Sequence, residues 1–556
     1  MKSALMYDSS FILHNSSFQK WWPLLTAGAY FFLAALAFSE SEGAGRSLPV
    51  SDSSAQVWKI NPIATASALD IDRTPAPTTA TLRPRLELTV KEAILMTLEG
   101  NPSFRIERLN AAITKTREAE QRSVFDPQLR AGYSASRKRD RTSPSSGAAS
   151  PETRTDETSA NIALSEFLPT GTEISLGAST DRSLSDLYGD QHTTRAGLTV
   201  TQALLKGAGL GANLADLRQA RLDTLTSHYE LRAFAEALVA DVEGTYWDFA
   251  LAQREIEIFT DSLKLAEQQL QETQERIKLG LLAEMELAAA KAEVALRRED
   301  LINARSNLEI TRLRLLQLAS PPGPGPWDRE VVIKNAPAVP EAHLDSVEAQ
   351  IKVALKMRPD LNQARLQVER GELEIAKTKN GLLPKLDLFI SLGKTGYANS
   401  FKDSAENLDD NYYEVLAGLT LEYSLGSRAN RAAHKQSILS RSLANEAIAN
   451  LTRLIQLDVR SAYIEVNRAK EQVAATLATR QLKQEVHRAE VEKFRVGRST
   501  SFLVAQAQRD LVESQISEIS SVVNYLKSLV ALYRVEGSLL DRRGIFVPGK
   551  EAVGLE

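Results

Sequence analysis

Residues 241–280 read DVEGTYWDFALAQREIEIFTDSLKLAEQQLQETQERIKLG, and this stretch decides the fold. Phe249, Ala252, Ile256, Phe259, Leu263, Ala266, Leu270, Thr273 and Ile277 step by threes and fours without a slip. That is the spacing of a heptad seam. Past Gly280 the series resumes with Leu287, Ala290, Val294, Arg297, Leu301, Ala304, Leu308, Thr311, Leu315 and Leu318. Two such seams joined at a glycine predict an antiparallel coiled-coil hairpin, and the recurring alanines allow close packing. Between Ala212 and Leu279 the sole glycine or proline is Gly244. An uninterrupted helix of about 68 residues would run roughly 100 Å, several times the usual globular length.

The same plan recurs further along. Asp241, Val242, Tyr246 and Gly280 return 217 residues later as Asp458, Val459, Tyr463 and Gly497, and Ala288 and Ala290 return as Ala505 and Ala507. Upstream, Leu98 to Pro102 matches Leu355 to Pro359, and Phe125 to Leu129 matches Leu382 to Leu386, both at a shift of 257. The chain therefore reads as a duplication. Each half starts with a helix of about 25 to 40 residues ending before Pro127 or Pro384. A β-like region, a very long helix, a glycine-centred turn and a second long helix follow. The second-half seam is more polar, with Arg480, Lys483 and Glu490 at the matching places. Either its register is shifted or that helix meets water on a second side.

In the β-like regions apolar and small or polar residues alternate. Val415, Ala417, Leu419, Leu421, Tyr423 and Leu425 share one face, and Leu386, Leu388, Ile390 and Leu392 do likewise. Such strands of about ten residues carry the weak signature of an outer-membrane barrel; the alternative is a half-buried soluble sheet. Each half clearly offers two strands, so one chain supplies about four, and lipid does not tolerate the open edges that result. Three copies would give twelve. Ala196 to Thr199 matches Ala417 to Thr420 at a shift of 221, so the first half carries 36 more residues ahead of Ala196. They hold Asn161 to Phe167 and Glu173 to Gly177 around Pro169-Thr-Gly171, which read as an enlarged loop or as extra strands.

Trp21 to Phe38 form one apolar run ending near Ala35-Leu36-Ala37. This predicts an export signal over 1–37, with a membrane anchor as the alternative reading. Residues 38–84, rich in Pro, Ser and Thr, read as a poorly ordered leader. The first repeat is expected over 85–320, with strands about 129–205 and long helices 212–318. A linker over 321–341 precedes the second repeat at 342–540, with strands about 385–425 and helices 427–536. Residues 541–556 read as a tail.

The 556 residues include no cysteine, which excludes disulfide scaffolds, thiolate metal sites and cysteine nucleophiles. Lys and Arg number 67 against 71 Asp and Glu, so no basic footprint points to nucleic acid. Gly207-Ala-Gly209-Leu-Gly211 superficially resembles a dinucleotide fingerprint. That site needs a βαβ unit of about 30 residues, whereas a far longer helix follows here, and a hinge explains the glycines better. The six histidines are scattered without ligand spacing. Neither a phosphate-binding loop nor a nucleophile elbow is present. The expectation is no enzyme, no cofactor and no metal.

Four local motifs complete the reading: Leu88-Thr-Val-Lys-Glu-Ala-Ile94 with Asn101-Pro102, Arg358-Pro-Asp-Leu361, Thr201-Gln-Ala-Leu-Leu-Lys-Gly207, and Phe494-Arg-Val-Gly-Arg498. In this order on a duplicated chain, over about residues 86 to 540, they resemble the TolC-like outer-membrane efflux proteins. The resemblance implies a mostly α chain with a β-barrel portion. It implies a homotrimer whose twelve-stranded barrel sits in outer-membrane lipid and continues into an α-helical tunnel across the periplasm. It also implies a passive exit duct for drugs, metals, toxins or exported proteins, served by an inner-membrane pump and a periplasmic adaptor. By position, Leu279, Gly280, Leu281 and Leu282 form one docking tip, and Val496, Gly497, Arg498, Ser499 and Thr500 the other. Glycine merely closing a helical hairpin is the plainer account. Better-known members carry gate aspartates six and nine residues past the second-half tip glycine, where this chain has Leu503 and Gln506. Glu284 and Glu286 are candidates for negative charge near the tip, or else a solvated first turn. The rival function is a periplasmic coiled-coil adaptor or structural rod without a barrel.

Overall fold

The computed structural model describes residues 85–141, 152–185, 189–280, 282–323, 325–340, 344–550 and 553. The expected signal and leader, together with Leu281, lie outside the described residues. In chain order the elements are β1 (Arg85–Leu88), α1 (Val90–Gly100), α2 (Pro102–Arg122), β2 (Gln128–Arg141), β3 (Glu152–Leu168), β4 (Thr172–Ser185) and β5 (Gly189–Ala203). Then come α3 (Leu210–Asn213), α4 (Ala215–Lys278), α5 (Met285–Ala319), β6 (Glu330–Ile333), α6 (Val347–Met357), α7 (Pro359–Asn380) and β7 (Lys385–Ala398). The last are α8 (Phe401–Glu406), β8 (Tyr413–Glu422), α9 (Arg428–Arg495), α10 (Ser501–Glu536) and α11 (Leu539–Arg542).

The single helix expected ahead of each β region is two helices. Thr89 and Glu92 cap α1 reciprocally: the Glu92 amide donates to Thr89 Oγ1 at 3.2 Å and the Thr89 amide to Glu92 Oε2 at 2.8 Å. Asn101 then breaks the run. Its Oδ1 accepts from the Ser103 amide at 2.9 Å and the Phe104 amide at 3.4 Å, and its Nδ2 donates to Leu318 O at 3.0 Å. Pro102 takes the first position of α2, where a missing N–H costs nothing. Arg358 and Pro359 make the same break between α6 and α7. Proline cannot continue a helix whose amides must bond backward, so both Pro motifs mark corners.

β1 and β6 pair in parallel as a small separate sheet, so the stretch expected as a linker contributes a strand. The large sheet has the order β2-β3-β4-β5-β7-β8, every neighbour antiparallel. The first half thus supplies four strands, not two. The extra residues before Ala196 are a full hairpin, because alternation in β3 and β4 continues through the Pro169-Thr-Gly171 turn. One ladder row runs Leu129, Leu164, Leu176, Leu198, Leu392, Val415 across all six strands. Next to it lie Ala131, Ile162, Ala178 and Ala196, and below it Ile174, Val200, Ile390 and Ala417. The opposite face carries Arg130, Ser134, Asn161, Ser175, Ser179, Thr199, Ser391 and Thr420. Among the described residues no helix covers the apolar side of the β8 edge: Val415 is 63% exposed and Leu419 64%.

The helices form one layer four abreast. Nearer the sheet the contacts run α2 to α4, α4 to α7 and α7 to α9; farther out they run α5 to α4, α4 to α10 and α10 to α9. α4 and α9 pass through both levels, with α4 inside and α9 at the edge. At the height of the Pro corners, α1, α4, α5, β1, β6, α10 and α11 enclose a core that includes Ile94, Val242, Tyr246, Phe249, Leu315 and Leu539. Residues 543–547 are not a free tail. Arg543 holds the buried Glu243 carboxylate in a two-pronged pair at 2.6 Å and 2.6 Å, and Ile545 and Val547 pack on the core.

Candidate functional site

The far ends of the two long hairpins sit together and carry the residues singled out by the sequence. At the first tip, α4 ends at Leu279 and Gly280 turns the chain with φ +72°. That left-handed conformation favours glycine. Glu284 precedes α5 without a side-chain cap. At the second tip Gly497 has φ +73°, and the Arg498 amide donates to Lys493 O at 2.8 Å, closing α9. Thr500 Oγ1 accepts from the Leu503 amide at 3.3 Å and starts α10. Ser499 Oγ donates to Glu490 Oε2 at 2.8 Å, and Lys493 Nζ donates to Oε1 at 2.5 Å. These bonds, Lys493 first, hold the Glu490 carboxyl below its ordinary value.

The tips present apolar side chains to solvent. Leu279 is 73% exposed and Val496 70%, and Leu282 is half-buried. Met285 and Phe502 are also exposed and were not expected; the signal was an apolar residue just past each turn. Arg498 adds positive charge beside them, while Arg495 is paired with Glu492 at 2.9 Å.

The hairpins are tied to each other just inside the tips. Ser501 Oγ donates to the Glu286 carboxylate, joining α10 to α5. The Arg276 guanidinium lies 4.8 Å over the Phe494 ring, joining α4 to α9. Deeper in, Glu293 accepts from Arg297 at 2.6 Å and from Arg509 at 3.1 Å. A cavity of about 340 Å³ lies among the four helices beside His487 and Phe494, and burial pushes the His487 imidazole down. Glu286 therefore belongs to an inter-hairpin bond, whereas Glu284 stands exposed. Leu503 and Gln506, both exposed, bring no carboxylate to this level. The polar seam of the second half resolves as α9–α10 ion pairs, Arg480 to Glu518 at 2.5 Å and Lys483 to Asp510 at 2.7 Å.

At the other end, Gly207 and Gly209 turn β5 into the helices with φ +85° and +91°. Asn380 Oδ1 accepts from the Gly207 amide at 2.8 Å, and Asn213 Nδ2 donates to Gly207 O at 2.8 Å. The glycines serve a strand-to-helix junction, with an antiparallel sheet where a dinucleotide site would need a βαβ unit. Among the described residues, no helix is long and apolar enough to cross a membrane.

The family profile described as "Outer membrane efflux protein" matches residues 148–320 and 350–538. "Outer membrane protein TolC" of Escherichia coli (strain K12) is 26% identical over 320 residues, which span 55% of this chain and 62% of that protein. The protein of the same name from Vibrio cholerae serotype O1 is 23% identical over 318 residues, 56% of this chain and 70% of that one. Among solved structures, the outer-membrane channel OprN superposes with a TM-score of 0.62 at 15% identity, covering 81% of this chain and 90% of that chain. The open-state MtrE outer membrane channel of Neisseria gonorrhoeae gives 0.58 at 18%, covering 81% and 89%.

Proposed function

The chain belongs to the outer membrane efflux protein family, and from that outer-membrane membership we propose that it is the exit duct of a tripartite efflux or type I secretion system. In this reading three copies form a tunnel that conducts substrates passively from an inner-membrane pump, through the periplasm, to the exterior. The observation that carries it is the two-faced sheet. Apart from the end where α8 packs on Thr194 and Gly396, its apolar face lies uncovered in the chain, which suits lipid outside a barrel wall, and its polar face suits a water-filled lumen. A periplasmic rod or adaptor has no use for such a sheet.

The helical layer supports assembly from several copies. Its two edges expose apolar stripes: Ile106, Leu109 and Ile113 on α2 with Ile302 and Ile310 on α5, and Leu439, Leu443, Leu457 and Ile464 on α9. Closing the layer on itself through neighbouring copies would bury both. The tips, Leu279 to Leu282 and Val496 to Thr500, are then the surface for a periplasmic adaptor. Docking opens the tunnel by separating the hairpins, which breaks Ser501–Glu286 and Arg276–Phe494. Selectivity lies with the pump, and the duct contributes no chemistry.

Cell fractionation and efflux assays test this. A heat-modifiable trimer in the outer membrane, with drug or secretion defects in a deletion strain, is the expected result. A soluble periplasmic monomer with no transport phenotype would overturn it. Bulky charged replacements at Leu279 and Val496 are expected to abolish adaptor crosslinking while leaving the trimer intact; unchanged crosslinking sinks the docking assignment.

A further inference from the structure

The sheet ends in two free edges, β2 and β8, and its shape specifies how they meet. The six strands alternate in direction from β2 to β8, so β8 of one copy can lie antiparallel to β2 of the next without breaking the alternation. The Thr395 amide donates to Tyr412 O at 3.1 Å, so Tyr412 faces β7 and Tyr413 turns its backbone groups to the open side.

The charges on the polar face supply a register. β2 carries Arg130 and Lys138, eight residues apart; β8 carries Glu414 and Glu422, also eight apart. A single antiparallel alignment sets Lys138 opposite Glu414 and Arg130 opposite Glu422. On the other face the same alignment places Leu419 beside Tyr133 and Leu421 beside Ala131, apolar against apolar.

The slope of the apolar band gives the same answer independently. On β3 the lipid-type stretch lies between Asp156 and Glu166, and on β8 between Tyr413 and Tyr423. The ladder carries Ile162, near the middle of the first stretch, through Ala178, Ala196 and Lys394 to Tyr413, the boundary of the second. The band thus slips five to six residues over four strand steps, roughly 1.4 per strand, as a tilted barrel wall requires. The charge-matched alignment carries the row from Leu129 through Val415 to Arg137 of the next copy. That is eight residues over six strands, or about 1.3 per strand.

We propose that β8 of each copy pairs with β2 of the next in this register, so that three copies close one eighteen-stranded barrel. The copy number, and with it the total of eighteen, rests on the trimeric duct proposed above; the register and the six strands per copy do not. A shear of eight residues per copy tilts the strands by about 42°, within the usual range, at ~3.3 Å per residue and ~4.8 Å between strands. Six strands at that tilt span about 39 Å, within the roughly 32–40 Å of four helices side by side, whereas four would span about 26 Å. The wall and the tunnel meet at equal width, and the barrel is about 37 Å across.

The absence of native cysteine makes the test direct. In the full chain expressed in the outer membrane, Ser136→Cys with Leu416→Cys stands directly opposite in the proposed register, at a separation disulfides accept. Oxidation is expected to give a covalent trimer, while the slipped pair Ser134→Cys with Leu416→Cys stays monomeric on a denaturing gel. Arg130→Glu with Lys138→Glu is expected to lower the heat-resistant trimer at least tenfold, and adding Glu414→Lys with Glu422→Lys to restore it. Electron microscopy of the trimer is expected to count eighteen strands. Trimers that crosslink only in the slipped pair, ignore the charge swap or show twelve strands overturn this proposal and leave the duct intact. Absence of any trimer removes both.

Discussion

α4 and α9 are equivalent elements of the two halves, 64 and 68 residues long, yet their surroundings differ. α4 buries side chains along most of its length, including Ala215, Tyr229, Val242, Phe249, Ala266 and Thr273. α9 buries Ser437, Ile455, Val459, Val466 and Ala469, and leaves Leu439, Leu443, Leu457, Ile464 and Leu482 in the open. One helix is the spine of the chain and the other is its rim. The same ancestral plan is thus adjusted to two surroundings: α4 finishes its packing within the chain, and α9 leaves an apolar stripe open, which the proposed assembly of copies would cover.

Breaking the rim should have the largest effect, and on assembly alone. Leu443→Asp with Ile464→Asp removes apolar contacts worth roughly 3–6 kcal/mol per interface. The trimer on a native gel is expected to vanish while the monomer's helical circular dichroism persists; loss of both would make α9 a second spine. The spine is attacked through its buried carboxylate. Glu243 is 0% exposed and depends on Arg543, so Arg543→Ala strands a buried charge and should cost about 3–5 kcal/mol in denaturant unfolding.

A titration sharpens the contrast further. Burial lifts the Glu236 carboxyl on α4 to about 7, against the opposing pull of Arg232 at 3.4 Å. Because the folded value lies above the unfolded one, the folded state binds the proton more tightly. Stability should therefore rise as pH falls from about 7 towards 4.5, by roughly 1–3 kcal/mol, and Glu236→Gln should flatten that slope. Thermal melts between pH 8 and 5 check the sign; a melting temperature that falls on acidification in wild type alone would reverse it. The smallest effect belongs to the rim's ion pairs. Arg480→Ala, opposite Glu518 on a part-exposed seam, should cost no more than about 1 kcal/mol.

The helical hairpins were legible because heptads are local and repeat: Ala252, Ala266, Val294, Leu301, Ala304 and Leu315 are buried on the seams their spacing indicated. The Pro corners were visible as motifs but not as breaks, since their meaning depends on Asn101 reaching Leu318 across the fold. The β3–β4 hairpin was half legible. Its alternation could be seen, but whether such a segment joins a wall or hangs as a loop depends on pairing with β5, which no local pattern encodes. At the tips the glycines were readable from the repeat alone. The Ser501–Glu286 bond was not, because it joins residues 215 apart whose neighbourhood exists only after both hairpins have folded.

The pairing of Glu243 with Arg543 also has a kinetic side. The two residues are 300 apart in sequence, and the carboxylate cannot be buried cheaply until its arginine arrives. Folding of the central belt must therefore wait until nearly the whole duplicated stretch has been made and delivered. Until Arg543 arrives, that stretch of α4 has no partner for its carboxylate. Closure depends on distant contacts, which makes it slow. In refolding followed by pulsed hydrogen exchange, amides flanking Glu243 should gain protection after those of the heptad seams.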